Sequence, residues 1–226
     1  MFLLKRCALI TGYYHGPQNM ANPASPPPAS ASDVFLNDTW TLSWHDPNGA
    51  DWSAESYKTV ATLSTVQDFW RVGNTLNVDA WTSGSFFLMR EHIAPMWEDP
   101  HNEHGGCWSM KVMRHHVADV WTNLMVSVLG ETLVMPAHRT GMWSVVNGVS
   151  ITPKRSFVII RVWLSDYERR SRDMYALGNP AYSDLLYKRH VDNDTYTGAG
   201  KVEPPAVPGG HGHGGKGGRK AAVFLR

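Results

Sequence analysis

Residues 142–164 read Met142-Trp143-Ser144-Val145-Val146-Asn147-Gly148-Val149-Ser150-Ile151, then Thr152-Pro153-Lys154-Arg155-Ser156, then Phe157-Val158-Ile159-Ile160-Arg161-Val162-Trp163-Leu164. The outer runs are dominated by β-branched and aromatic side chains, which fit a pleated, half-buried surface. Between them Pro and Ser supply turn chemistry, so the pair forms an antiparallel hairpin with Lys154 and Arg155 at its tip. Further β-type runs occur at 39–44, 57–63, 85–89, 108–113 and 184–188. Three helical patterns interrupt them. One opens at Ser64 with Gln67 three residues on, a capping-box spacing. A second covers 117–129, with Val117, Val120, Trp121, Leu124 and Val128 on one stripe and Gly130 as its stop. A third starts at Ser165, with Glu168 as reciprocal cap, and ends near Gly178. Helices scattered among antiparallel strands predict an α+β fold. Its form is a curved antiparallel sheet with about three helices on the convex face and a ligand slot on the concave side.

The 226-residue chain is 42% hydrophobic and 18% charged, the composition of a globule that buries one substantial core. Residues 15–33 are rich in Pro, Ala and Ser, and 209–220 in Gly with Lys and Arg. Neither stretch buries enough apolar area to offset ordering entropy. The predicted organisation is a flexible extension at 1–33, one folded domain at 34–200, and a mobile tail at 201–226 in which 221–225 forms a short strand. A net charge of +1 provides no global field for nucleic acid, so any phosphate contact needs a local basic cluster. Cys7 and Cys107 lack any pairing or CxxC spacing, which suits a reducing, cytoplasmic setting. The apolar start is too short and wrongly ordered for a secretion signal, and no run is long enough for a membrane helix.

Met96-Trp97-Glu98-Asp99 carries the most distinctive chemistry. An indole offers a flat π-face, and the carboxylate beside it offers two acceptor oxygens. A planar, electron-poor heterocycle with two adjacent N–H donors satisfies both groups, and N7-methylated guanine is such a ligand. Ten tryptophans exceed what a core of this size needs. Trp40, Trp44, Trp108, Trp121 and Trp143 lie in strands or on the helix stripe and read as core. Trp52, after the Asp46-Pro47-Asn48-Gly49 turn, and Trp97, between Pro95 and Asp99-Pro100, read as loop aromatics.

These elements recur in order: Thr65-Val66-Gln67-Asp68-Phe69-Trp70, Ile93-Ala94-Pro95-Met96-Trp97-Glu98-Asp99, Asn102, Gly105-Gly106, Trp108, Leu129-Gly130-Glu131 and Val145-Val146-Asn147. In that order they resemble the translation initiation factor 4E family, whose members bind the mRNA 5′ cap. The resemblance covers approximately residues 34 to 170. It implies that Trp52 and Trp97 sandwich the methylated base, that Glu98 accepts the guanine N1–H and N2–H, and that Trp163 touches the N7-methyl group. It also implies a helical-peptide site for a scaffold initiation factor 4G-like protein or a 4E-binding regulatory protein, at Val66, Trp70 and Val126. No catalytic residue, metal or cofactor is implied.

The chain also departs from the family. The family's Arg before the last Trp of the Gly-Gly motif is Cys107 here, and the strand after Val-Val-Asn lacks the usual basic residues. Lys154 and Arg155 are the expected phosphate contacts, reinforced by Lys216, Arg219 and Lys220. The family's His-Pro pair is Val34-Phe35, an acidic residue of the second helix is Asn123, and no Ser or Thr follows Thr197 to carry the tail phosphorylation. Two other readings remain open from sequence: a cap-binding repressor or storage paralogue that recruits no scaffold, and a metal-dependent nucleotide hydrolase built on Glu98, Asp99, His101 and His104.

Overall fold

A computed structural model describes residues 33–140, 145–179 and 181–192. Seven strands form one antiparallel sheet: β1 Phe35–His45, β2 Lys58–Thr65, β3 Ser85–Arg90, β4 Gly106–Met113, β5 Val146–Pro153, β6 Phe157–Leu164 and β7 Tyr182–Arg189. Their order across the sheet is β2-β1-β3-β5-β6-β4-β7. The β5–β6 hairpin is closed at its tip by Lys154 N donating to Phe157 O at 2.8 Å. Two runs match the sequence prediction almost residue for residue, β6 and the helix Val117–Leu129.

Alternation sorts the strand residues onto two faces. Trp40, Leu42, Phe86, Leu88, Met110, Val112, Val149, Ile151, Val158, Ile160 and Val162 form the main core with three helices. These are α1 Val66–Thr75, α2 Val78–Trp81 and α3 Val117–Leu129. A second, smaller cluster on the helix-free face joins Phe87, Met89, Ile93, Cys107 and Trp163, with Tyr57 and Trp97 packed against it. The α+β architecture therefore stands, with one face covered and the other open.

Three local expectations are corrected. The cap of α1 is Thr65 rather than Ser64: Asp68 N donates to Thr65 Oγ1 at 3.1 Å and Thr65 N donates to Asp68 Oδ2 at 3.0 Å. Gln67 instead accepts from Val34 N at 3.1 Å and ties the head of the chain to the helix. The third predicted helix, from Ser165, does not form. That segment holds two short 3-10 turns, Tyr167–Arg169 and Arg172–Met174, because it has no apolar stripe to bury. The third helix is α2, set by Asn77 Oδ1 accepting from Ala80 N at 3.0 Å. Within the run expected at 142–151 the strand begins only at Val146. Trp143, Cys7, the 1–32 extension, the strand at 221–225 and tail residues Lys216, Arg219 and Lys220 lie outside the described residues. Among the described residues no helix is long and apolar enough to cross a membrane.

Candidate ligand-binding site

The loop between β3 and β4 carries Trp97 and Glu98, and its shape is held by buried amides. Asn102, wholly buried, donates through Nδ2 to Ala94 O at 3.0 Å and Met96 O at 2.7 Å. Asn147 of β5 continues the relay, donating to His101 O at 2.7 Å and Asn102 Oδ1 at 2.9 Å. Asp99 closes the front: its carboxylate accepts from Ala94 N and His101 N, each at 2.8 Å. These backbone donors, together with the His101 ring, hold the Asp99 carboxyl below the usual aspartate value despite partial desolvation. Gly105 and Gly106 then bring the chain tight onto the sheet, where a Cβ on Gly105 would stand 1.7 Å from Leu164 O.

The loop's internal bonding leaves Glu98 out. Among the described residues no donor or cation engages its exposed carboxylate, while Trp97 beside it is half-buried. Asp99 is spent on the loop backbone, so the two adjacent carboxylates do not act together. Among the described residues no group of three His, Cys, Asp or Glu could hold a metal ion.

Trp52 lies in the β1–β2 loop and is half exposed. One indole face is already occupied: the His45 imidazole stacks on it with centroids 3.8 Å apart and planes 8° from parallel. His45 is 1% exposed, and its Nε2 lies 2.7 Å from Asp51 O, an N–H donor to that carbonyl. From here an aromatic chain crosses the helix-free face. Tyr57 contacts both His45 and Trp52, at 5.2 and 6.3 Å. Phe87 lies 5.3 Å from Tyr57 and 6.3 Å from Trp163, and His190 stacks on Trp163 at 5.0 Å. Burial pushes the Tyr57 phenol up to about 12, and the Glu98 carboxylate adds to that rise.

Trp163 is a buried strand residue. It is 7% exposed in β6, and its Nε1 donates to Ser150 Oγ at 3.0 Å. It packs inside the cluster of the helix-free face. Lys154 is half-buried at the hairpin tip and Arg155 is exposed there. Burial, with a smaller contribution from Arg161, lowers the Lys154 pKa.

The sequence reading missed His45, Tyr57 and Arg161. Arg161 sits two residues before Trp163, on the same face of β6, and pairs across to Ser109 and Ser150. The available signal was an arginine at the open-face parity of an otherwise apolar strand.

On the helix-bearing side, Trp70 and Val126 are exposed and Val66 is half-buried. Val34 and Phe35 are exposed beside α1, where Phe35 pairs with Thr65. These are apolar side chains left exposed or part-exposed on the outer surface.

The model of the family described as eukaryotic initiation factor 4E matches residues 35–195. The chain is 32% identical over 135 residues to eukaryotic translation initiation factor 4E of Eremothecium gossypii, covering 57% of this chain and 61% of that protein. It is 28% identical over 170 residues to factor 4E-1 of Schizosaccharomyces pombe, covering 68% and 74%. The complex of C. elegans eIF4E-3 with the 4E-binding protein Mextli and cap analog shares the fold at 21% identity and TM-score 0.60, over 73% of this chain and 96% of that one. Ascaris suum eIF4E-3 with m7G cap aligns at 25% identity and TM-score 0.50, over 61% and 76%.

Proposed function

The chain belongs to the eukaryotic initiation factor 4E family, and we propose that it binds the 7-methylguanosine 5′ cap of mRNA, acting in translation initiation or its regulation. One observation carries this reading: an exposed carboxylate, Glu98, left unclaimed beside the half-buried Trp97 on a loop pinned by Asn102 and Asn147. The free face of Trp52 and the ring of Trp97 take the two faces of the base. Glu98 accepts the guanine N1–H and N2–H, and the edge of Trp163 meets the methyl group. Lys154 and Arg155 approach the phosphates.

The energetics support methylation selectivity. Stacking contributes about 1–3 kcal/mol per aromatic face, and the charge-assisted pair to Glu98 about 1.5–3 kcal/mol. A cation over a Trp face adds roughly 0.5–2 kcal/mol only when N7 is methylated. After the costs of association, micromolar or tighter binding is expected. Titrating the intrinsic tryptophan fluorescence with 7-methyl-GTP and with GTP tests the assignment. Strong quenching by the methylated nucleotide alone supports it, and equal weak responses refute it.

The exposed Trp70 and Val126 and the half-buried Val66 offer apolar side chains to the apolar face of a helical peptide. Solved complexes of relatives contain a 4E-binding protein, as in Schistosome eIF4E with m7GpppG and 4E-BP. A scaffold of the 4G type or a 4E-binding regulator is the corresponding partner here. With Trp70→Ala, such a peptide should be lost from pull-downs while 7-methyl-GTP binding is retained.

A further inference from the structure

Arg161 is a cation that no carboxylate of the described residues neutralises. Its Nη1 donates to Thr152 Oγ1 at 3.3 Å, a long bond that uses one of five guanidinium donors. Among the described residues no carboxylate bridges it, although five arginine–carboxylate pairs occur elsewhere. Its surroundings are basic or neutral: Lys154 and His190 both feel its charge, and the Cys107 thiol lies near enough to interact. Lys188 faces Cys107 across β4–β7, and Lys111 stands over the Phe157 ring at 4.7 Å on the same face. Desolvation holds the Arg161 pKa below that of an ordinary arginine, and the residue keeps only part of its surface exposed.

A desolvated, unpaired guanidinium is costly, and a protein gains nothing in stability from keeping one. An anion arriving from outside removes that cost. The planar fork matches phosphate oxygens in a bidentate contact, and a run of phosphates can also reach Lys154. Residues 161 and 163 occupy successive pleats of one face, so the anion lies next to Trp163 of the aromatic cluster.

We infer that Arg161 anchors the polyphosphate of the ligand on the open face of β6, in addition to the cations Lys154 and Arg155 of the hairpin tip. The inference deepens the cap-binding reading, but the test includes a probe without any base.

The full chain and its Arg161→Met and Arg161→Lys variants are compared in three measurements. Inorganic tripolyphosphate should raise the melting midpoint of the wild type more than that of Arg161→Met. Affinity for 7-methyl-GTP should fall on the order of tenfold or more in Arg161→Met, with partial recovery in Arg161→Lys, while affinity for the nucleoside 7-methylguanosine is unchanged. Without ligand, Arg161→Met should melt at or above the wild type, because a desolvated charge has been removed. A variant that unfolds or melts lower, an equal tripolyphosphate shift in both proteins, or a parallel loss for nucleotide and nucleoside would each overturn the assignment. If tripolyphosphate binds through Arg161 but methylation is not discriminated, the anion site stands and the base reading fails.

Discussion

Two arginines on neighbouring parts of the sheet have opposite surroundings. Arg90, at the end of β3, is 3% exposed and fully employed. Its Nη1 meets Asp38 at 2.6 Å, its Nη2 meets Glu131 at 2.7 Å, its Nε donates to Val146 O at 3.0 Å, and the guanidinium lies 4.6 Å over the Trp40 ring. Arg161, on the open face, has one long hydrogen bond and basic neighbours among the described residues. The contrast separates a cation that holds the fold together from one held in reserve for something outside. The same division runs through the carboxylates, with Asp99 consumed by its loop and Glu98 left open.

The largest effect that would sharpen this contrast is at Arg90. Arg90→Met strips the counter-charge from Asp38 and Glu131 and should cost about 3–5 kcal/mol in urea unfolding. The matching change at Arg161 should cost nothing in stability. Equal destabilisation would erase the distinction.

A second effect comes from pH. Burial, reinforced by Arg161 and Lys188, lowers the His190 pKa from 6.5 to about 4. The folded protein thus keeps His190 neutral while the unfolded chain takes up a proton. Its contribution is fully present above pH 6.5 and is lost as pH falls toward 4, by up to about 3 kcal/mol. Urea midpoints of wild type and His190→Gln, followed from pH 7 to pH 4.5, should converge as the wild type loses this contribution.

Next comes the Trp52 stack. His45→Ala removes the ring behind the indole and should weaken 7-methyl-GTP binding about tenfold, with His45→Phe restoring it by supplying another ring. Failure of the phenylalanine to restore binding would show that the imidazole matters for something other than its flat face.

The smallest effect is at Cys107. Burial pushes its thiol up to about 12, so thiol reagents should label the native chain negligibly at pH 7.5 and leave ligand binding unchanged.

The elements legible in the sequence were those whose period and punctuation agreed. The stripe from Val117 to Val128, stopped by Gly130, became α3 without a shift, and alternation in β6 assigned both its faces. The segment after Ser165 misled because capping residues alone do not make a helix. Its Tyr167 is instead gripped by Arg170 and Arg189, at 3.9 and 4.0 Å. At the candidate site, local chemistry singles out Trp97 and Glu98, and the structure leaves Glu98 exposed beside the half-buried Trp97. His45 and Tyr57 are not singled out, because their role exists only once β1 and β2 bring them against Trp52. Arg161 was hidden by strand context, since its meaning depends on the carboxylates that are not beside it.

The most direct test of the open face as a methylated-base site is the ratio of dissociation constants for GTP and 7-methyl-GTP, measured at one salt concentration in wild type and Trp97→Ala. A ratio on the order of ten or more in the wild type, collapsing toward one in the variant, is expected when the cation–π contact is to Trp97. A ratio that survives the loss of Trp97, or is already close to one in the wild type, would contradict the assignment.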